Sequence, residues 1–403
     1  MLNTIALLIP VFLLITAVEL FISYRQGKRY FSERSIGMNI SLGAIFQFWS
    51  LLEFMLFFGA MELFYRQFRL FDWSVNWLHW LLAYVAIDFI SYWYHRFSHE
   101  WNILWAGHVT HHSSEHFNFT NGFRVSPFQG LNRIPFWLIL PVLGFSPFVL
   151  VVCFKISGVY DFWLHTQTVP KLRWMEWLMV TPSVHRVHHG KNELYLDKNY
   201  GSNFVIWDKM FGTYQPETIP VDYGIKDPDY RDDHPVKAIF HHYAYLWQVC
   251  KSIPGWGRRL QFLFLPPDRK PEAWDPVLPA PAIQQEITGP GYRYYAYWLL
   301  AVGITGVVAT MVVQELLPWP VMALFAVLLV SDMVTAALIM SRNLRAGFRY
   351  RQWLRMAALS ICAIGLWWQY ELLWLWLLPL YLGLNGLWIA RLQASAQRVI
   401  MVR

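Results

Sequence analysis

Nine of the 14 histidines fall into tight groups: His95 and His99 in YHRFSH, His108, His111 and His112 in HVTHH, His185, His188 and His189 in HRVHH, with His165 alone in WLHT. Spacings of three and four residues put the imidazoles of each group on one face of a helix, where two or three ring nitrogens can aim at one point. Eight or nine neutral nitrogen donors exceed the four of a structural zinc site and the three of a catalytic one, so two metal ions are the economical reading. Imidazole binds iron, copper, zinc and nickel alike, and ligand type alone does not name the metal. A metal-bound imidazole usually gives its second ring proton to a carboxylate or carbonyl. Asp88 lies two helical turns before His95, Asp161 one turn before His165, and Glu115 just after HVTHH; these three acids are the expected acceptors, and Asp161 could itself bind metal. The other five histidines, His79, His116, His234, His241 and His242, read as ordinary polar residues near the surface.

Holding these groups together falls to elements of an unusual composition. The chain has 403 residues, of which 56% are hydrophobic, 18% aromatic and only 15% charged, the balance of a polytopic membrane protein. Apolar runs near bilayer length cover Leu2 to Tyr24, Met38 to Phe64, Asn76 to Tyr94, Tyr297 to Leu316 and Pro320 to Met340, with a close pair between Met356 and Ala390. The first run has no basic residue ahead of it and no small-residue cleavage site after it, and reads as a retained helix. Pro127 to His165 is apolar but broken at Gly144 to Pro147 into pieces of roughly 16 to 19 residues, as in a helical hairpin that returns His165 to the side it left. Thr166 to about Pro290 reads as a cap, with an interfacial amphipathic helix at Ala238 to Lys251 and a proline-rich linker at Pro266 to Pro290. The expected fold is therefore all-α, a membrane helical bundle with a histidine-bearing cap, divided into a catalytic part (1–290) and C-terminal transmembrane helices (291–403).

Basic residues orient it. Arg25, Lys28, Arg29 and Arg34 follow the first span, and Arg342, Arg345, Arg349, Arg351 and Arg355 lie between later ones; the positive-inside rule makes both regions cytoplasmic and puts every histidine group on that face. Arg66 and Arg69 are a minor exception on the other side. The net charge of +7 follows from this bias and calls for no nucleic-acid partner. Three scattered cysteines, Cys153, Cys250 and Cys362, give neither a disulfide framework nor a thiolate pair for zinc. Dense imidazoles beside a bilayer are costly to desolvate unless coordinated. A metal transporter fits less well, because transport ligands usually sit near the bilayer midplane; a metal carrier or sensor is the alternative outside enzymes.

The groups resemble the three histidine boxes, HxxxH, HxxHH and HxxHH, of the membrane fatty acid hydroxylase and sterol desaturase superfamily. DFISYWYHRFSH, GHVTHHSSEHFNFTNGFR, TPSVHRVHHGKN and NYGSNFVIWDKMFGTY are similar to the surroundings of those boxes in the branch that contains alkylglycerol monooxygenase, over roughly residues 75–215. That resemblance implies a non-haem di-iron centre held by the nine histidines at the cytoplasmic membrane face. It further implies O2 activation, hydroxylation of a lipid carbon with ether-lipid cleavage as one version, and desaturation as the alternative outcome of the same centre. Position 161 departs from the branch, which usually has a neutral polar residue or a histidine where this chain has Asp161. The chemistry agrees in kind: an unactivated C–H bond lies beyond side-chain acid or base catalysis, so a redox metal must carry the step while the protein positions and shields it. The sequence has no cytochrome b5-like HPGG and no GxGxxG fingerprint, so electrons must come from an external donor. By the resemblance that donor could be tetrahydrobiopterin; a redox protein fits equally.

Overall fold

In the computed structural model, which describes residues 3–226, 230, 233–269, 290–342 and 348–401, the chain is helical, and two isolated β-bridges, Met179 with Phe204 and Gly190 with Tyr223, are the extended pairings among the described residues. The helices are α1 (Asn3–Arg25), α2 (Glu33–Phe68), α3 (Trp77–Glu100), α4 (Asn102–His112), α5 (Pro127–Trp137), α6 (Ile139–Val142), α7 (Pro147–Leu164) and α8 (Pro182–His188). They continue with α9 (Ile206–Met210), α10 (Pro235–Ser252), α11 (Trp256–Leu263), α12 (Pro290–Val313), α13 (Trp319–Met340), α14 (Phe348–Tyr370) and α15 (Leu377–Met401). Local chemistry sets the helix starts near the histidines. Asn76, Ser126 and Thr181 each accept a hydrogen bond from a first-turn N–H, satisfying donors that the helix itself leaves open. Pro127, Pro147 and Pro182 open α5, α7 and α8, where a missing N–H costs nothing.

Among the described residues, six segments are long and apolar enough to cross a membrane: Leu8–Arg25, Glu33–Phe68, Pro147–Leu164, Gly291–Leu316, Trp319–Met340 and Leu373–Leu392. Of the pair expected between Met356 and Ala390 only the second, Leu373–Leu392, is among them, and α14 is not. The run expected at Asn76 to Tyr94 is not one of them either. It forms α3, whose 24 residues are long enough, but His79, Asp88 and several tyrosines lower its hydropathy, and it is packed between α4 and α7. α2, with 36 residues and so about 54 Å long, is the spine of the bundle. Leu51 and Ala44 belong to a core shared with Leu299, Val307, Leu329 and Met333 of α12 and α13; further along, Phe57 and Met61 enter a second core with Ile87 of α3, Leu140 of α6 and Val149 of α7.

The expected break at Gly144 is a turn with φ +90°, where a Cβ would collide with the Phe71 carbonyl, so glycine is required. α5 and α6 lead up to it and α7 leads back, ending on His165. The helix expected at Ala238 to Lys251 is α10, but its apolar face is covered by protein: Leu246 and Val249 pack with Ala106 of α4 and Phe262 of α11. Phe240 and Trp247 point outward. The expected linker at 266–290 lies mostly outside the described residues, as does Arg345. Arg355 is not in a loop; it sits inside α14 and pairs with the fully buried Asp332 of α13 at 2.7 Å. Two histidines expected near the surface are buried instead. His79 Nε2 accepts from the Ser146 N–H at 3.3 Å, and His242 bonds to Asn102 at 3.2 Å.

Candidate metal centre

Four short pieces of chain meet at the boxes. His95 and His99 occupy the last turn and a half of α3; the chain then breaks at Trp101, in extended conformation, and α4 brings in His108, His111 and His112. His165 caps α7, and α8 supplies His185 and His188, with His189 as its cap. All nine rings come together, and they divide into two sets of donors. One set is His95, His99, His108, His112 and His188; the other is His111, His165, His185 and His189, the donor atoms of each set lying within 4.8 Å of one another.

The division does not follow the boxes. Residues four apart point in nearly the same direction on a helix, whereas a residue three along points roughly 100° away from the one four along. Thus His108 and His112 serve one set and His111 the other, while His185 and His189 serve the second and His188 the first. Each HxxHH box therefore straddles both sets. The rings of His112 and His189, one from each set, lie face to face with centroids 4.4 Å apart, so the two sets are immediate neighbours.

The donor atoms are Nε2. His95 to His108, His112 to His108 and His188 to His112 are 3.0, 3.0 and 3.1 Å apart between Nε2 atoms; His165 to His111, His185 to His165 and His189 to His185 are 3.2, 3.1 and 3.1 Å apart. Five donors in one set exceed the four of a tetrahedral zinc site. His99 Nε2 is buried with no hydrogen-bond partner, which leaves its lone pair available to a metal. The residues present fit two ions, one offered five nitrogen donors and the other four.

What fixes the Nε2 orientation is the opposite ring nitrogen. His95 Nδ1–H donates to the Tyr200 carbonyl (2.9 Å), His111 to Arg124 (3.0 Å), His165 to Asp161 (2.8 Å) and His188 to Lys198 (3.0 Å). These bonds select the tautomer that leaves Nε2 a lone pair. Burial, reinforced by neighbouring rings, holds the histidines neutral: His95 and His165 are each pushed down to about 4, and the other seven are also well below the usual imidazole range. Neutral rings are what coordination requires.

The acceptors are backbone carbonyls, and the three acids expected for this duty are used otherwise. Asp88 takes four hydrogen bonds, from Asn203 N and Nδ2, Phe204 N and Trp207 Nε1, at 2.8 to 3.1 Å, and so pins the 203–207 segment to α3. Asp161 meets His165 through its carbonyl, while its carboxylate accepts from Ser202 at 2.7 Å; it belongs to neither donor set. Glu115 is exposed. Chain direction, not side-chain charge, supplies these contacts, and a carbonyl has no letter in a sequence.

Their signal lay in NYGSN. Asn199 adopts φ +58°, and its side chain bonds to Val184 O, Gln215 O and Gln215 N; this left-handed residue lies between the two carbonyls that take His95 and His188. Asp208, fully buried, accepts from Tyr200 N, Gly201 N and the Thr213 hydroxyl at 2.7, 2.8 and 2.7 Å. Burial pushes Asp208 up to about 6, and those three hydrogen bonds oppose the shift by favouring the carboxylate. On the other side, the fully buried Arg124 donates to Thr110 O (2.6 Å), Asn39 Oδ1 (2.9 Å) and Ser113 Oγ (2.7 Å), holding the residue whose carbonyl takes His111. Aromatic rings close the remainder: Trp105 and Tyr200 against the first set, Phe117 against the second, with Tyr223 stacked on Phe117 at 4.9 Å.

This region is where known proteins match. Residues 80–213 match the fatty acid hydroxylase family. The fatty acid hydroxylase-type region thus contains all nine histidines, Asp88, Arg124 and Asp208. Over 286 residues, 69% of this chain, the sequence is 35% identical to alkylglycerol monooxygenase of Homo sapiens, and over 213 residues, 51% of the chain, 39% identical to the same enzyme of Danio rerio. An ornithine lipid hydroxylase, OlsE of Rhizobium tropici, is 30% identical over 148 residues, 36% of the chain. The matches span 61%, 45% and 45% of those relatives' own lengths. No solved structure matches the chain. With six apolar spans and this family match, the chain is a multi-pass membrane protein, and its resemblance to the alkylglycerol monooxygenase branch holds.

Proposed function

We propose that this chain is a membrane-bound non-haem di-iron oxygenase that hydroxylates a lipid C–H bond with O2 and electrons from an external donor, ether-lipid cleavage being its most specific version. The observation that carries this reading is the pair of donor sets, five and four neutral imidazoles side by side and free of thiolate or carboxylate. Iron accepts imidazole at coordination numbers above four, and when bound it would supply the redox step that no side chain can. The four relatives named alkylglycerol monooxygenase support the lipid class, and the basic residues after α1 support a cytoplasmic face for the site. The balance is one C–H bond and one O2, with two electrons and two protons from the donor, giving one C–OH and one water. Reduced pterin or a redox protein would meet it.

In this reading the protein's own groups do four things. The nine rings would hold the ions, 95, 99, 108, 112 and 188 for one and 111, 165, 185 and 189 for the other. Backbone carbonyls of Tyr200, Lys198, Arg124 and Asp161 keep the Nδ1 protons in place and the Nε2 lone pairs aimed inward. Trp105, Phe117, Tyr200 and Tyr223 exclude water. The spanning helices admit a substrate that already lives in the bilayer. The test is metal analysis of purified protein together with product mass from a lipid extract supplied with reductant. Two irons per chain and a product heavier by one oxygen are expected; a product lighter by two hydrogens would make it a desaturase, and metal without oxygen consumption a carrier, either of which overturns the proposal.

A further inference from the structure

A partly open cavity of about 200 Å³ lies among the spanning helices, walled by residues of α1, α2, α7, α12 and α13. It is larger than the engineered apolar hole of about 150 Å³ that takes up benzene, and its wall is carbon almost throughout, with Gln47 the one polar side chain lining it. Gly43 and Gly158 keep the backbones of α2 and α7 bare along it; a Cβ at Gly158 would meet nothing within 4 Å.

One end of the cavity adjoins the metal centre. Phe162 and Phe123 line it there, their rings 5.4 Å apart, and Phe12 stacks on Phe162 at 4.2 Å. Asp161, beside Phe162 in the chain, gives its carbonyl to His165, and Arg124, beside Phe123, gives its carbonyl to His111. Both histidines belong to the second donor set. From that level the cavity runs into the membrane. Glu19 of α1 is fixed at the level of the site by the Phe119 N–H and the Thr166 hydroxyl, and Ile9 lines the cavity ten residues away, about 15 Å along the helix. On α2 the equivalent points are Asn39, bonded to Arg124, and Gln47, about 12 Å further on.

An apolar space among spanning helices, with aromatic rings between it and the metal centre, matches a hydrocarbon chain. We propose that this cavity receives the alkyl tail of the membrane lipid on the side of the second donor set, and that α12 and α13 serve to wall it. This rests on the lipid oxygenase reading and assigns a role to helices that lie outside residues 80–213. Val308 of α12 and Met333 of α13 form part of the wall, so the fatty acid hydroxylase-type region does not complete the cavity alone.

The test uses the full chain in nanodiscs and two occluding variants from opposite walls, Gly158→Leu and Val308→Trp. Bound metal per chain is measured first and should equal that of the unaltered protein. A photoactivatable diazirine hexadecylglycerol should label peptides covering residues 158–162 and 304–308 in the unaltered protein, and both variants should lose that labelling by about tenfold. With hexadecylglycerol and octylglycerol as substrates, the variants should raise KM for the longer chain about tenfold while kcat and the shorter chain's KM stay near the original values. Unchanged labelling and unchanged KM for the long chain in both metal-replete variants would overturn the cavity assignment and leave the oxygenase reading intact. Labelling that is lost as expected, in a protein that oxidises no lipid, would overturn the oxygenase reading and leave the cavity assignment standing.

Discussion

Asp208→Ala should loosen one metal ion and spare the other. The carboxylate is fully buried and accepts from two backbone N–H groups and one hydroxyl; alanine leaves those three donors without an acceptor, at about 1 to 3 kcal/mol each, or about 5 kcal/mol in all. That is enough to release the 199–201 turn. The Tyr200 and Lys198 carbonyls that hold His95 and His188 lie in or beside this turn, and both rings belong to the five-donor set. His111 and His165, held from Arg124 and Asp161 on other elements, keep their anchors. Losing an outer hydrogen bond to a metal-bound imidazole costs about 10- to 100-fold in affinity. The assay is metal retained per chain against a graded chelator: the variant should shed its first ion at least tenfold earlier and its second at the unaltered concentration. Two ions retained as tightly as in the unaltered protein, or both lost together while the thermal transition survives, would refute the argument.

Other expectations follow from the same contacts. His111→Ala and His188→Ala should each abolish turnover and each reduce bound metal by one ion, but from different sets; full activity in either would contradict the site. Removing the charge of Glu53, which pairs with Arg133 at 2.5 Å in the bundle interior, strands a buried guanidinium. Glu53→Gln should therefore lower stability by about 3 to 5 kcal/mol, read by thermal melting in detergent. Acid should strip the metal: free imidazole protonates near 6.5, whereas the folded rings of His95 and His165 stay neutral to about 4. The unfolded or released state thus binds more protons between those values, and stability falls as pH drops through that window. Circular dichroism and metal retention should be flat from pH 8 to about 6.5 and decline together below it.

Much of the site was legible in the residues. Nine histidines at spacings of three and four are a pattern of side chains, and ring nitrogens are their own advertisement; the hairpin that returns His165 was written in the glycine and proline of its turn. The apolar runs gave the spanning helices for a similar reason, since bilayer thickness imposes a length that composition reveals. α3 and α14 were the exceptions: an interior helix carrying Asp88 and His79 gets its environment from neighbouring helices and not from its own hydropathy, and arginines and polar residues dilute the apolar run of α14.

Tertiary structure decided the rest. The assignment of His111 away from His108 and His112 depends on where α8 and His165 approach α4, which one helix cannot specify. The ring-proton acceptors proved to be carbonyls of Tyr200, Lys198, Arg124 and Asp161, and a carbonyl's direction follows from backbone dihedrals set by distant contacts such as Asp208 with Thr213. Asp88 was legible as an acid needing partners, but which partners depended on the fold bringing residues 203–207 back across more than a hundred positions. The sequence by itself determined which atoms could bind metal and which segments could live in a membrane, because those are properties of side chains. Only the folded chain decided how the donors divide into two sets and where an apolar cavity lies among the helices, because those are properties of distances between segments far apart in sequence.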